Sequence, residues 1–298
     1  MNKLAYYIWH PLIWLISWLP FPALYVISDF LFYPVSIFGY RKKIILANLA
    51  KAFPDKSNEW HKDVLRKFYR HFCDLFVETI KLQHIPDKEI FKRITFSNTE
   101  IIDHATEDGK DVIAILGHYG NWEWVPAINM HIKAGSYSVY RPLKNRWFDR
   151  YMLDLRTRFG SKNVTMKKTL RLVAGLRKEN KRFILGLIAD QSPAKSEIQY
   201  WTNFLTQKTP ILTGPEKIAK MVNGPVVYLK VSKPKRGHYH ISIIPFEKEP
   251  AQTDENEITD WHVRQLEKSI IERPDLWLWS HKRWKYQSEF SKMKTTHA

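Results

Sequence analysis

His118 and Glu123 are the residues whose types and spacing first suggest chemistry. They lie in Gly117-His118-Tyr119-Gly120-Asn121-Trp122-Glu123-Trp124, directly after the apolar run Val112 to Leu116. A short β-branched run ended by a glycine is typical of a buried strand. In a continuous helix, residues five apart point about 140° away from each other. The two side chains can therefore meet only if His118 lies in the turn before a helix and Glu123 lies in its first turn.

This arrangement predicts a general base with an orienting carboxylate. An ionised Glu123 beside the imidazole would fix the tautomer of His118 and raise the basicity of its other nitrogen. Spacing alone favours the plainer alternative, a pair of surface or capping groups. The rest of the chain has to decide between them.

Elements that could position this pair alternate from Ile94 onward, which predicts an α/β fold with a mixed, largely parallel sheet flanked by helices. The predicted strands are Ile94 to Ser97, Val112 to Leu116, Tyr137 to Tyr140 and Phe183 to Ala189, with a hairpin of Val226 to Val231 and Tyr239 to Ile244. The predicted helices are Glu100 to Thr106, Trp122 to Lys133, Trp147 to Phe159, Leu170 to Lys178, Thr213 to Val222 and Ile258 to Glu272.

Polar residues follow three of these strands. His118 follows one, Arg141 a second, and Asp190 with Gln191 a third. Ligands of parallel α/β sheets bind beyond the carboxyl ends of the strands, so we expect His118, Arg141 and Asp190 to share one cleft. Arg141 would bind a phosphate there; the alternative is a solvated loop cation.

Other chemistries lack their motifs in this sequence. It has no Gly-x-Ser-x-Gly elbow, phosphate-binding glycine loop, dinucleotide fingerprint or His-Glu-x-x-His pair. His104 and His131 fall in predicted helices without the paired spacing of metal ligands, so we expect no metal. A base without a protein nucleophile suits direct attack by a substrate hydroxyl on an activated acyl group.

Composition points to an anionic, lipidic partner. Lys and Arg number 47 against 30 Asp and Glu, a net charge of +17, and the chain has 12 Trp and 14 Tyr. Aromatic residues near cations favour a lipid interface, and we expect no nucleic-acid partner. The only cysteine, Cys73, excludes an internal disulfide.

The N-terminal segment is the candidate membrane contact. Between Lys3 and Arg41 the only formal charge is Asp29, although Pro20 and Pro22 interrupt the apolar run. We predict an uncleaved anchor over residues 1–40 that dips into or crosses the bilayer, followed by one catalytic domain over residues 41–298. The alternative is a helical hairpin buried in the catalytic domain.

Along nearly its whole length the chain resembles the bacterial lipid A biosynthesis acyltransferases, which add the secondary acyl chains to lipid A. After an apolar N-terminus, the resemblance is carried by Tyr40-Arg41-Lys42-Lys43 with Asn48 to Pro54, Gly117 to Glu123, Val139-Tyr140-Arg141-Pro142 with Asn145, Ala189-Asp190-Gln191, Thr213-Gly214 with Ala219, and Pro274 to Lys285. The histidine box alone is shared with glycerolipid acyltransferases, whereas its order with the other motifs is specific.

The resemblance implies a glycerolipid acyltransferase-like fold and a reaction without cofactor or acyl-enzyme. His118, held by Glu123, would deprotonate a hydroxyl of a lipid A precursor, which attacks the thioester of an acyl group on acyl carrier protein. The implied substrate-binding residues are Arg141, Asn145, Arg156, Arg158, Asp190 and Gln191, although no task can be given to Asp190. The implied place is the inner membrane, with anionic lipids as partners and the catalytic domain on the cytoplasmic side.

One departure and two alternatives stay open. Where relatives commonly carry Phe-Gly, this chain has Asn203-Phe204-Leu205-Thr206, which leaves the acyl chain length undecided. The acceptor could instead be another glycolipid or a lysophospholipid. The chain could also be a non-catalytic protein that binds anionic membranes.

Overall fold

The computed structural model describes residues 3–287, and its centre is a seven-stranded sheet. The strands are β1 (Ile94–Ser97), β2 (Val112–Leu116), β3 (Gly135–Tyr140), β4 (Lys162–Thr165), β5 (Phe183–Ile188), β8 (Val226–Lys235) and β9 (His238–Pro245), in the spatial order β1-β9-β8-β2-β5-β3-β4. Every neighbouring pair is parallel except the β8–β9 hairpin. The predicted mixed, largely parallel α/β fold is confirmed.

Ten α-helices surround the sheet in the described part of the chain. They are α1 (Lys3–Trp18), α2 (Phe21–Ile37), α3 (Lys42–Ala52), α4 (Asn58–Lys81), α5 (Asp87–Arg93), α6 (Glu100–Glu107), α7 (Arg146–Arg156), α8 (Thr169–Lys178), α9 (Gly214–Val222) and α10 (Glu257–Glu272). Five of the six helices predicted from Ile94 onward, α6 to α10, are present near their predicted bounds. Strand β4 and the separate hairpin of β6 (Tyr200–Phe204) and β7 (Gln207–Ile211) were not predicted from the sequence.

The prediction of a helix over Trp122 to Lys133 is wrong. Turns lead instead into a 3₁₀ helix over Val125–Met130. The Asn121 side chain accepts a hydrogen bond from the backbone N–H of Trp124 at 3.2 Å, a local bond that competes with helix formation. Pro126 then supplies no backbone donor. Glu123 therefore lies in a turn, and its place relative to His118 differs from the prediction.

The alternation of side chains along β2 divides the core into two layers. All five residues of β2 are buried, as expected for a strand inside a parallel sheet. Val112, Ala114 and Leu116 share a core with residues of α4 and α10, whereas Ile113 and Ile115 share one with residues of α8 and α9. Because both faces of the sheet are covered, the strand ends are left to form a site.

The N-terminal helices pack on the catalytic fold. Phe21 and Leu24 of α2 are buried in the core cluster that also contains residues of α4. Only Leu19 and Pro20 separate the end of α1 from the start of α2. In residues 3–287 no single helix passes a length and hydropathy test for a membrane span, and one pair, α2 with α3, passes only jointly across a bend of 86°. The anchor over residues 1–40 stays a prediction.

The β6–β7 turn falls within Asn203 to Thr206, the stretch that differs from the Phe-Gly expected from the family resemblance. Leu205 and Thr206 both adopt left-handed backbone, with φ of 47° and 65°, a region that suits glycine better than leucine. The Glu267 carboxylate accepts the backbone N–H of Leu205 at 2.6 Å, and the Thr206 hydroxyl donates to the carbonyl of Lys51 at 3.1 Å. These contacts hold the strained turn in place.

Candidate active site

His118 lies two residues past the end of β2, in the loop that leads to Asn121. Gly117 makes this loop possible, because a Cβ at that position would lie 2.8 Å from the side chain of Leu266. The His118 side chain is 21% exposed. It is thus accessible to a substrate while its backbone is fixed by buried neighbours.

The carboxylate on His118 is that of Asp190. His118 Nδ1 donates to Asp190 Oδ1 at 2.7 Å, and the His118 backbone N–H donates to Oδ2 at 3.0 Å. Strand register explains the pairing: Leu116 lies opposite Ile188 in the parallel pair β2–β5, so the residues two positions further along lie side by side. With Nδ1 as the donor, Nε2 is left with its lone pair free to accept a proton.

Asp190 is buried yet ionised. Burial by itself raises the pKa of a carboxyl, but the His118 imidazole and the hydrogen bonds from His118 and the Trp277 indole together lower the pKa of Asp190 to about 2. The Trp277 Nε1–H donates to Asp190 Oδ2 at 2.8 Å. A fixed negative charge therefore faces the imidazole at any physiological pH.

Glu123 bonds a different cation, which corrects its predicted role on His118. Arg156 donates from Nε to Glu123 Oε2 and from Nη2 to Oε1, both at 2.7 Å. The Trp122 indole N–H donates to Glu123 Oε1 at 3.0 Å. The contact fails because the helix that should have turned Glu123 towards His118 does not form, while the end of β5 delivers Asp190 to the imidazole. Glu123 still lies close by, since the Trp122 ring contacts His118 edge-on with 5.2 Å between centroids.

The remaining predicted residues fall into two groups, of which the first lies at the carboxyl edge of the sheet. Gln191 Nε2 is 3.4 Å from His118 Nε2. Arg141 is exposed and directly follows β3, the neighbour of β5 on the side away from β2. Because β2, β5 and β3 are adjacent and parallel, their carboxyl ends lie at one edge, and the shared cleft of His118, Arg141 and Asp190 stays a prediction.

The second group is engaged in structural contacts. Asn145 caps α7, its side-chain oxygen accepting the backbone N–H groups of Trp147 and Phe148 at 3.0 and 3.2 Å. Arg158 donates to Asp87 Oδ1 at 3.0 Å and to the carbonyl of Ile85 at 3.1 Å. The structure does not bring Arg158 into contact with the site.

Residues 276–284, which we call the clamp, form hydrogen bonds with both loops of the site. No role was predicted for this segment from the sequence. On the histidine loop, Gly120 N–H donates to the Leu276 carbonyl and Leu278 N–H donates to the His118 carbonyl, both at 3.0 Å. Trp277 reaches Asp190 as described above. The signal available in the sequence was the density of tryptophan and cationic residues in this stretch, which is unusual for a solvent-exposed tail.

The same segment fixes the aspartate loop one step beyond Asp190. His281 Nε2 accepts the backbone N–H of Ser192 at 3.2 Å, and Ser192 Oγ donates to the Arg283 carbonyl at 2.7 Å. Arg283 is fully buried and donates to the Pro210 carbonyl at 2.9 Å. Burial, reinforced by the charge of Arg283, lowers the pKa of His281 to about 4, so this histidine is a neutral acceptor.

Glu78 of α4 supports the histidine loop from below and was also missed. Its carboxyl accepts hydrogen bonds from Asn121 and Tyr239 at 2.8 Å and from Tyr25 at 3.0 Å. Burial raises the pKa of Glu78. Glu78 therefore differs from Asp190 in the direction of its pKa shift and in its partners, none of which is an imidazole.

These contacts leave His118 able to act as a base. A partly exposed imidazole, fixed by a buried carboxylate at the carboxyl edge of a parallel sheet, can take a proton from a substrate hydroxyl. The contacts of His118 described above involve no serine, cysteine or threonine side chain. The arrangement is therefore compatible with an enzyme that uses a general base.

Comparison with known proteins makes the class specific. The sequence model of the bacterial lipid A biosynthesis acyltransferases matches residues 2–286, and the chain belongs to this family. The lipid A biosynthesis lauroyltransferase of Escherichia coli is 22% identical over 279 residues, covering 93% of this chain and 90% of the relative. The lipid A biosynthesis palmitoleoyltransferase of Escherichia coli and a lipid A biosynthesis acyltransferase of Shigella flexneri are each 22% identical over 275 residues, covering 92% of this chain and 88% of each relative.

Proposed function

We propose that this protein transfers a fatty acyl group from acyl carrier protein to a hydroxyl of a lipid A precursor, with His118 as general base. The observation that carries the proposal is the His118–Asp190 pair at the carboxyl edge of the sheet. Family membership supplies the acyl transfer and the lipid A acceptor. The pair supplies a means to activate the acceptor hydroxyl.

The reaction moves one proton through His118. The acceptor hydroxyl gives its proton to His118 Nε2 as its oxygen forms a bond to the thioester carbon. The tetrahedral intermediate collapses, the carbon–sulfur bond breaks, and the carrier's thiolate takes the proton back from Nε2. Proton transfer of this kind contributes about 10² to 10⁴ in rate, so alignment of the two lipids must supply much of the rest.

In this mechanism Asp190 is the positioning residue for His118. Its low pKa keeps it ionised, so it holds the Nδ1–H tautomer and stabilises the imidazolium that forms. The Trp277 indole and the His118 backbone N–H both donate to Asp190 Oδ2, which leaves Oδ1 to accept from His118 Nδ1. Although His118 and Asp190 are far apart in the sequence, the register of the parallel strands β2 and β5 brings them together.

Glu123 and Arg156 form the wall of the proposed acceptor site. Their ion pair is largely buried, with side-chain exposures of 10% and 23%, and it holds Trp122 against His118. Arg141 is exposed on the same edge and is the cation we assign to a phosphate of the acceptor or of the carrier's prosthetic group. Gln191, close to His118 Nε2, is positioned to contact the reacting hydroxyl.

The proposed location is the cytoplasmic side of the inner membrane. Both substrates support it, because the donor is a cytoplasmic carrier and the acceptor is a membrane lipid. The net charge of +17 suits an anionic bilayer surface.

Mass spectrometry of lipid A tests the proposal. A strain that lacks this protein is complemented with the wild-type gene, with His118→Ala, or with His104→Ala, a matched exposed histidine on α6. We expect one acyl chain to be restored by the wild type and by His104→Ala, and to stay missing with His118→Ala. Restoration by His118→Ala would refute the general base, and an unchanged acyl count in the deletion strain would refute the lipid A acceptor.

A further inference from the structure

Helices α1 and α2 each carry a row of exposed apolar side chains, which we call the outer stripe. In α1 it comprises Trp9, Leu12, Leu15 and Trp18, and in α2 it comprises Val26, Phe30, Tyr33 and Ile37. In α2 the spacing of three and four residues places the set on one narrow side of the helix, whereas in α1 the uniform spacing of three spreads the set over about half of the circumference. Exposed fractions reach 70% for Phe30 and 78% for Ile37. Exposed apolar side chains in such number are typical of an interaction site.

The opposite side of α1 is tied to α4 by buried polar contacts. Ser17, fully buried, bonds His84 Nδ1 through its hydroxyl at 2.5 Å. The Lys81 ammonium donates to the carbonyls of Ser17 and Leu19 at 3.0 and 2.9 Å. Pulling α1 away would leave a buried lysine without its acceptors, which is costly.

Helix α2 is tied down in the same way. Ser28 Oγ donates to the buried carboxylate of Asp74 at 2.8 Å. Asp29 pairs with Arg236, which also binds Asp74, at 2.8 and 2.7 Å. These polar groups are satisfied only while α2 lies along the catalytic fold, and an ion pair is disfavoured in the hydrocarbon core of a bilayer.

We propose that the outer stripe binds one leaflet of an anionic bilayer with α1 and α2 lying in the plane of the membrane. Tryptophan and tyrosine in the stripe suit the headgroup region. The exposed Lys42 and Lys43, just past α2, provide cations for anionic headgroups. The proposal deepens the membrane location proposed above, and it does not depend on the chemistry of His118.

This placement would bring α7 close to the leaflet. Helix α7 lies against α1, where His10 contacts Tyr151 edge-on with 6.1 Å between ring centroids. Phe148, near the start of α7, is 43% exposed, and Arg156 at its end binds Glu123. We therefore expect a lipid acceptor to approach the site from the side of α7.

Depth-dependent fluorescence quenching tests the orientation. Cys73 is the only cysteine and is buried, so a Cys73→Ala background accepts single labels at Val26→Cys or Ile37→Cys. These positions are 11 residues apart, about 16 Å along the helix axis. The full-length protein is bound to phosphatidylglycerol–phosphatidylethanolamine vesicles with quenchers at graded depths.

We expect both labels at one depth, about 5 to 10 Å below the headgroups, and no quenching of a control label at Ile271→Cys, which is exposed on α10. A depth difference near 16 Å would overturn the proposal in favour of a helix along the membrane normal. Absence of quenching at both stripe positions would also overturn it and would point to a second copy or another protein as the occupant.

Vesicle partitioning tests the charge contribution. Lys42→Glu with Lys43→Glu should weaken binding about fivefold per residue at low salt. A matched pair of exposed lysines elsewhere, Lys110→Glu with Lys178→Glu, should change binding much less. Equal loss in both pairs would refute the assigned orientation. Repeating the binding with His118→Ala separates this outcome from failure of the proposed reaction, because that variant should bind normally.

Discussion

Two carboxylates near His118 show how differently the same chemical group can be used. Asp190 faces the imidazole, a backbone N–H and an indole, and its side chain is 3% exposed. Glu123 faces a guanidinium and the indole of its own neighbour, at the wall of the site. The first fixes the state of a group that exchanges protons, and the second holds a permanent cation. The role of a carboxylate therefore depends more on the strand or turn that positions it than on its distance from the histidine along the sequence.

The largest effects are expected when each carboxylate is replaced by the corresponding amide. Asp190→Asn should lower kcat about 10²- to 10⁴-fold with little change in KM, because the amide N–H can donate to Nδ1 and stabilise the tautomer of His118 that carries its proton on Nε2. Glu123→Gln should cost less and act mainly through KM, because it weakens the hold on Arg156. Steady-state kinetics of the two purified variants in the same detergent provides the comparison.

The reverse order of effects would break the assignment. A mild Asp190→Asn with a severe loss of kcat in Glu123→Gln would return the orienting role to Glu123. Circular dichroism of both variants serves as the control for folding.

Trp277→Phe sharpens the comparison from the side of Asp190 alone. It keeps the ring in the core but removes the indole N–H from Asp190 Oδ2, a charge-assisted bond that typically contributes about 1.5 to 3 kcal/mol. We expect the pKa of Asp190 to rise from about 2 and kcat to fall about tenfold. Unchanged kcat in a variant of normal stability would remove Trp277 from the positioning of the pair.

Features that depend on local residue patterns could be predicted from the sequence, whereas contacts between distant segments could not. The strands that end at His118, Arg141 and Asp190 follow from local apolar runs, and their convergence follows from a parallel sheet. The His118–Asp190 bond depends on the register between β2 and β5, which no local pattern contains. The failure of the helix at Trp122 depends on one Asn121 side-chain bond and on Pro126, so a first-turn position for Glu123 was a reasonable but wrong expectation.

Glu78→Gln probes a third carboxyl, beneath the same loop, and should have a small effect. Burial raises the pKa of Glu78. In the Gln variant the amide oxygen can accept from Asn121 and Tyr239, which both bond Oε2, and the amide N–H can donate to the Tyr25 hydroxyl in place of Oε1. We expect activity within about twofold of the wild type in assays at neutral pH, because each partner keeps a hydrogen bond. A loss comparable to that of Asp190→Asn would show that Glu78 acts as an anion.

The pH dependence of stability is expected to show the smallest effect near neutral pH. It distinguishes the contribution of Asp190 from that of the buried histidines. Burial lowers the pKa of His262 and His281 to about 4, whereas unfolded histidine titrates at about 6.5. Between these values the unfolded chain binds more protons, so the free energy of unfolding falls as pH drops from about 6.5 towards 4. Asp190, with a pKa of about 2, contributes stability that is present above about 3.9 and lost only towards pH 2.

Thermal unfolding between pH 7 and 4 measures this dependence. Tm should decline through the window in the wild type, and Asp190→Asn should decline with the same slope from its own starting value. His281→Gln should reduce the slope without abolishing it, because His262 and His71 still have lowered pKa values, whereas the exposed His104→Gln should leave the slope unchanged. A flat wild-type profile would show that the buried histidines are not neutral in the folded state.

The clamp formed by residues 276–284 has a consequence for the order in which the protein matures during synthesis. His118 leaves the ribosome early and Asp190 follows, but the backbone bonds from Leu276 and Leu278 and the indole of Trp277 arrive only with the final part of the described chain. A nascent chain that contains both residues of the pair but not yet residues 276–284 lacks these three contacts. We therefore expect the site to be completed only after that segment has been synthesised.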